Sequence, residues 1–163
     1  MRSDAALSDD GVYRYWLERT WGEGREHLVW VMLNPSTADH REDDPTIRRC
    51  IGFSQAWGFD GLIVVNLFAL RATNPRELAT AADPIGPEND HWLDVAGAHA
   101  ADQGAFVMAA WGANHAVAPR RKDALAALTR RHDVELRCLG TTQNGQPRHP
   151  LYVPASREPE EFS

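Results

Sequence analysis

The stretch VWVMLNPSTADHREDDP, from Val29 to Pro45, decides the fold of this chain. It contains most of the apolar run HLVWVML, whose length and continuity predict a central strand that is covered on both faces. The run ends abruptly at a polar turn, residues 34–36, and a group of acids follows. Asp44 and Pro45 have the residue types that favour a helix N-cap and a first helical position. The stretch therefore predicts a buried strand, a tight turn and the start of a helix, as in an α/β sheet.

The overall composition is that of a globular chain. Its 163 residues fit a single domain, residues 1–163, and 43% of them are hydrophobic, which is enough for a core of ordinary size. The formal net charge is −6. A protein that coats nucleic acids gains affinity from Lys and Arg side chains that neutralise phosphates, so this charge argues against that class. A local basic groove is still compatible with this net charge.

Targeting and redox features are sparse in the sequence. The longest apolar runs, such as LIVV and FVMAAW, are too short to cross a bilayer, and the N-terminal MRSDAALSDDG has no apolar core. We therefore expect a cytoplasmic protein without a membrane partner. Cys50 and Cys138 are expected to be reduced thiols, and two cysteines cannot supply the four thiolates of an iron–sulfur cluster. No cofactor is expected.

Strand-like and helix-like segments alternate along the chain. The segment GVYRYWLERTW, residues 11–21, has bulky residues at alternating positions and predicts a strand before the central one. The later segments predict a helix (44–58), a strand (60–70), a short helix (73–81), a longer helix (86–104), a strand (105–112), an amphipathic helix (120–132), a strand (133–140) and a loop (141–156). This order predicts a three-layer α/β/α fold with a central, mostly parallel sheet. Because no helix separates the first two strands, the first is expected to be an antiparallel N-terminal edge strand.

Several polar or small residues follow the predicted strands. In open α/β sheets, ligands bind just beyond the carboxyl ends of the strands. Those ends carry Asn34, Asn66 and the pair Trp111-Gly112, and the last loop carries His149. An Asn side chain can hold a water or read a base edge, and a His can donate to an oxygen that gains negative charge. Each residue also has a structural reading, as a turn former, a backbone partner or an ordinary loop residue.

Motifs of other enzyme classes do not occur in the sequence. The chain lacks GxSxG, the Walker A motif, GxGxxG and zinc-ligand spacing, so no metal site is expected. The acids Asp39, Glu42, Asp43 and Asp44 either begin a helix or hold a divalent cation. The bases Arg120, Arg121 and Lys122 form either a solvated helix face or a patch that contacts phosphates, and the segment GQPRHPLY is a second basic candidate.

The segments LNPSTAD, DDPTIRRC, GF and NLFALRATNP resemble the family catalogued as domain of unknown function 1643. The resemblance extends from about Tyr13 to Tyr152. The family name itself implies no activity.

A second, more distant resemblance is to the uracil-DNA glycosylase superfamily, which has a parallel sheet with helices on both faces. MLNPS is similar to a motif that reads GINPG in the mismatch-specific branch, and this implies that Asn34 positions the attacking water. VVNLFALR resembles the segment that ends in an Asn which reads the uracil edge, here Asn66. AAWGANHA resembles a strand that ends in a glycine turn, and RHPLYVP resembles the motif that begins His-Pro. The last likeness makes His149 the electrophile toward O2 of the departing base.

If the chain acts on a base in DNA, further contacts are expected. A base would stack on Phe53, Phe68 or Trp111. Nucleic acid would contact the basic residues Arg120, Arg121, Lys122 and Arg148. The remaining substrate contacts would come from Pro35, Ser36, Gly112 and Leu151. This sequence departs from the motifs at Ser36, which replaces a glycine, and at Leu151, which replaces a serine.

Three functions stay open at this point. The first is excision of a damaged or deaminated base from DNA. The second, to which the departures at Ser36 and Leu151 point, is binding of a nucleobase, nucleotide or nucleic acid without catalysis. The third is hydrolysis of a small nucleotide or glycoside, which suits the acidic composition and would give the Asp39–Asp44 acids a Mg²⁺ ion to hold.

Overall fold

A computed structural model describes residues 1–36, 38–39 and 41–163 of the chain. The strands in these residues are β1 Arg2–Leu7, β2 Arg14–Thr20, β3 His27–Met32, β4 Gly61–Asn66, β5 Val107–Ala109, β6 Leu136–Cys138 and β7 Glu160–Glu161. The helices are α1 Pro45–Ala56, α2 Glu77–Thr80, α3 Asn89–Gln103 and α4 Val117–Thr129, with a 3-10 helix at Pro150–Tyr152.

The strands form one seven-stranded sheet in the order β1-β2-β4-β3-β5-β6-β7. β4, β3, β5 and β6 are parallel, while β1, β2 and β7 pair antiparallel with their neighbours. The predicted α/β fold with a mostly parallel central sheet is confirmed. The chain proceeds from β3 to β4 on one side and then returns across β3 to β5. A reversal of strand order of this kind is where open α/β sheets bind ligands.

Two apolar cores cover the two faces of the sheet and explain the continuous apolar run in β3. Val29 and Val31 pack in one core with residues of α3 and α4, such as Leu93 and Leu128. Leu28 and Trp30 pack in the other core, where α1 contributes Ile47, Cys50 and Phe53. Successive β3 residues therefore alternate between two buried faces.

The predicted position of the first strand is wrong in one respect. β2 corresponds to the predicted strand, but it lies between β1 and β4 and is not the edge of the sheet. The edge is β1, from the acidic N-terminal segment, where Arg2 to Asp4 are exposed. β7 is a second strand that the sequence did not predict, and it pairs with β6 at the other edge.

The helix start at Asp44 is confirmed. The Asp44 carboxylate accepts a hydrogen bond from the Ile47 amide at 2.9 Å, and Pro45 is the first helical residue. The neighbouring acids also form ion pairs or hydrogen bonds within the fold. Asp43 pairs with Arg19 at 2.8 Å, and Asp39 accepts from the Glu42 amide at 2.9 Å. Thr37 and His40 of this segment lie outside the described residues.

The residues of the described ranges contain no group of three or more His, Cys, Asp or Glu side chains that could hold a metal ion. Cys50 and Cys138 are both buried free thiols, and burial raises the pKa of each. No helix within those ranges is long and apolar enough to cross a membrane.

Candidate functional site

A cavity of about 370 Å³ opens at the carboxyl ends of β3, β4 and β5. This volume lies in the range of small-molecule sites. The predicted site residues that line it are Asn34, Pro35, Ser36, Asn66, Trp111, Gly112, His149 and Leu151. The predicted residues that are not part of its lining are Phe53, Phe68, Arg120, Arg121, Lys122 and Arg148.

Asn66 is a buried amide without a hydrogen-bond partner among the described residues. It is the last residue of β4 and is only 1% exposed, yet neither Oδ1 nor Nδ2 has a partner there. Its backbone is fixed, because the Asn89 side chain at the start of α3 donates to the Asn66 carbonyl oxygen at 2.9 Å. A buried polar group without a partner costs about 1–3 kcal/mol. A ligand in the cavity would satisfy it.

The Asn34 side chain joins the turn after β3 to the segment after β4. Its Nδ2 donates to the carbonyl oxygens of Pro35 at 3.0 Å and Ala72 at 2.9 Å, with a longer contact of 3.4 Å to that of Leu70. These bonds fix the orientation of the amide and use its donor group. The Oδ1 atom is the remaining polar atom of the side chain, and an oxygen acceptor can orient a water molecule.

His149 is a half-buried imidazole with a defined tautomer. The Leu151 amide donates to its Nδ1 at 3.2 Å, so the proton of the neutral ring is on Nε2. Burial lowers the pKa of His149, and the negative charge of Asp44 partly opposes this shift. The imidazole is therefore neutral at pH 7 and presents an N–H donor. The N–H group of a neutral imidazole can donate a hydrogen bond to an oxygen that gains negative charge and so stabilise it.

The segment around His149 is held from two sides. The Gly112 amide donates to the carbonyl oxygen of Pro147 at 2.9 Å, and the positive φ of Gly112, 73°, favours glycine at this turn. From α1, Arg49 donates to the carbonyl oxygen of Pro150 at 3.2 Å and to that of Val153. The turn after β5 and helix α1 therefore both fix the position of the segment that carries His149.

Trp111 lines the cavity but is 2% exposed. Its indole Nε1 donates to Gln146 at 2.9 Å, and its ring packs edge-on against Phe162 with the centroids 5.6 Å apart. These contacts hold the loop that leads to His149. Only a small part of the ring is left for contact with a ligand.

Phe53 and Phe68 are not placed to stack on a ligand in this cavity. Phe53 packs between Trp30 and Trp57 in the core beneath α1, with ring centroids 6.1 and 5.3 Å away. Phe68 belongs to the core on the other face of the sheet. Both are 5% exposed or less, so the prediction of stacking from these two residues is corrected.

The predicted basic patch is also corrected at its first residue. Arg120 is 5% exposed because it pairs with Asp90 and donates to the carbonyl oxygen of Leu67 at 2.8 Å. Arg121 is half-buried and lies over the Phe162 ring, 4.7 Å from its centroid. Lys122 and Arg148 are exposed. α4 begins at Val117, earlier than predicted, and Arg120 is one of its buried residues.

Arg14 also lines the cavity, and the sequence did not single it out. It is 2% exposed and donates through Nη1 to the carbonyl oxygen of Ala38 at 2.6 Å. Its Nε is buried and has no partner within the described part of the chain. Burial lowers the pKa of Arg14 to about 10, so the guanidinium stays protonated at neutral pH.

The fold and the cavity define an α/β protein with a candidate ligand site at the carboxyl ends of its parallel strands. The chain belongs to a family described as protein of unknown function (DUF1643), whose model matches residues 14–151. No curated protein and no solved structure matches the chain.

Proposed function

We propose that this protein recognises a nucleobase in DNA and hydrolyses its N-glycosidic bond. The observation that carries the proposal is the unpartnered amide of Asn66 at the cavity. An amide offers a donor beside an acceptor, which complements the N–H and C=O groups of a base edge. To reach such a pocket, a base in duplex DNA must leave the stack.

The neighbouring residues supply the two other elements of the reaction. Asn34 Oδ1 accepts from a water and orients it toward the sugar C1′. The water oxygen bonds to C1′ as the bond from C1′ to the base nitrogen breaks, and the water proton passes to the departing base. His149 donates from Nε2 to the oxygen of the base that becomes negative as the glycosidic bond breaks. The order of MLNPS, VVNLFALR, AAWGANHA and RHPLYVP along the chain, which resembles the uracil-DNA glycosylase superfamily, supports the same assignment.

Base release from labelled oligonucleotides tests the proposal. The protein is incubated with DNA that contains uracil, hypoxanthine or a mismatch, and abasic sites are detected by alkaline cleavage. We expect release of at least one base, with a loss of at least about 100-fold in Asn66→Leu and His149→Phe, since each removes a polar contact to the transition state. Asp102→Ala, at an exposed position of α3 outside the cavity lining, is the matched control and should retain the rate. Absence of release from every substrate contradicts the proposal.

A second candidate function is binding of a nucleobase or nucleotide without hydrolysis. The favouring observation is that the Asn34 amide already has a structural use, because it bonds to backbone carbonyls on both sides of the turn. Under this alternative, uracil raises the melting temperature of the native protein and of Asn34→Ser equally, and no base is released.

A third candidate is hydrolysis of a small nucleotide or glycoside. The burial of Arg120 and the net charge of −6 favour it, since a small substrate needs no extended basic surface. Release of free base from a deoxynucleoside, without release from oligonucleotides, would distinguish this function from the first.

A further inference from the structure

A β-bulge turns Arg14 toward the cavity. Along β2, Leu17 faces the core beneath α1, and regular alternation would place Arg14 on the opposite face. Ala6 pairs with Trp16 but Leu7 pairs with Arg14, so Tyr15 is an extra residue in β2. The extra residue brings Arg14 to the α1 face, where it bonds to the Ala38 carbonyl oxygen. Bulges next to ligand sites commonly redirect a side chain in this way.

The buried Arg14 has fewer partners than a buried cation requires. No carboxylate of the described residues lies within ion-pair distance of its guanidinium, although Asp44 lines the same cavity and favours the charged form. The bond to Ala38 satisfies Nη1, and Nε stays unpaired. Buried charges are costly unless they are paired and hydrogen-bonded.

Arg14 and Asn66 contribute complementary groups to one cavity. They come from the neighbouring strands β2 and β4, and both have side-chain atoms that are buried and unpartnered. The guanidinium has N–H donors only, whereas the amide has a donor and an acceptor. A ligand that satisfies both must therefore offer an acceptor to Arg14.

We propose that Arg14 selects a heterocycle with an oxo group beside the edge that Asn66 holds, and rejects the corresponding amino heterocycle. This inference rests on the proposed recognition of a base and adds Arg14 as the residue that sets the preference for an oxo group over an amino group. An oxo oxygen accepts from the guanidinium. The amino group of cytosine or adenine would place an N–H donor against the buried N–H donors of Arg14, which leaves both unpaired. Sites that bond to a polar group discriminate strongly when that group is absent.

Matched pairs of free bases test the selection. The dissociation constants of uracil and cytosine, and of hypoxanthine and adenine, are measured by titration calorimetry on the native protein. We expect each oxo base to bind at least about tenfold more tightly than its amino partner, because the amino base leaves the charged donors of Arg14 unpaired. Equal affinity within both pairs, or no binding of any of the four bases, would overturn the inference.

Two variants assign the preference to Arg14. Arg14→Met keeps the length of the side chain and removes its donors, so the preference should fall to less than about twofold. Arg14→Lys keeps a charged donor and should retain the order of affinities even where Arg14→Met fails to fold, with folding followed by circular-dichroism melting. Arg71→Met is the control, because Arg71 lies outside the lining of this cavity. An Arg14→Met protein that folds and keeps the full preference contradicts the inference.

The result of the binding measurements can be distinguished from the result of the base-release assay. Release of uracil from DNA by a protein without the preference would overturn the inference and leave the proposed function standing. The preference without any base release would support the inference and remove the catalytic part of the proposed function.

Discussion

Two asparagines of the site, Asn34 and Asn66, have opposite relations to the stability of the fold. Asn34 donates to carbonyl oxygens of two segments and so holds them together. Asn66 is buried, and its side-chain amide makes no hydrogen bond within the described chain. A side chain that lowers the stability of the fold and makes no hydrogen bond within it is typical of a functional site, where activity and stability oppose one another.

This contrast predicts opposite effects of substitution on the free energy of unfolding. Asn34→Ala should lower it by about 1–3 kcal/mol, because buried carbonyl oxygens lose their donor. Asn66→Leu, of similar volume, should leave it unchanged or raise it, because an unpaired amide is replaced by an apolar group. Urea denaturation measures both.

Ser36→Ala, in the same turn as Asn34, is the control and should change the free energy of unfolding by less than about 0.5 kcal/mol. A loss in Asn66→Leu as large as that in Asn34→Ala would show that the Asn66 amide has an internal partner after all, and this would weaken the case for a ligand.

At the scale of elements, helix α1 connects the turn after β3 to the loop that carries His149. Its first residues line the cavity, and Arg49 in its middle bonds to carbonyl oxygens on both sides of the 3-10 helix. The position of His149 therefore depends on a helix that is distant from it in sequence. We therefore propose that Arg49 positions His149.

We expect Arg49→Ala to slow base release by at least about tenfold, since displacement of a catalytic group by about 1 Å has effects of that order or larger. Native affinity for free uracil should be largely kept, because Asn66 is undisturbed. Arg48→Ala, at an exposed position on the same helix, is the control. Equal rates in the two variants would show that the contacts of Arg49 do not position His149.

The central strands and helix α1 were predictable from the sequence for local reasons. β3 and β4 are buried on both faces, so their apolar runs are continuous, and Asp44-Pro45 is a strong start signal for α1. β1 was missed because its first residues are exposed and polar, and β7 has only two residues, which is too short for any pattern. Edge strands of this kind are defined by their neighbours and not by their own sequence.

The cavity-lining residues that the sequence predicted lie at or just after strand ends, except His149 and Leu151, which the His-Pro segment of the last loop indicated. Asn34, Asn66 and Gly112 were found because strand ends meet at one edge of the sheet. Arg14 was missed because the bulge at Tyr15 is created by pairing with β1 and leaves no local signal. Phe53 was assigned wrongly because its stacking role came from the base-excision hypothesis, whereas its position on α1 buries the ring in the core.

At the scale of the whole molecule, acidic charge and a small polar cavity occur together. The net charge of −6 opposes attraction to a long phosphate backbone, and the predicted basic residues are partly used inside the fold. Under the proposed function, selectivity comes from the cavity itself, through Asn66 and Arg14. That proposal requires the Asn66 side chain to contact a base.

The most direct measurement follows the side-chain NH₂ resonances of Asn66 by ¹⁵N-edited nuclear magnetic resonance during titration with uracil, with the assignment taken from Asn66→Leu. We predict a saturable shift of the Asn66 pair, because an unpartnered amide gains hydrogen bonds. The Asn89 pair, which already donates to the carbonyl oxygens of Asn66 and Leu67, should move much less. Asn66 resonances that stay unchanged up to millimolar uracil would contradict the claim that this amide reads a base.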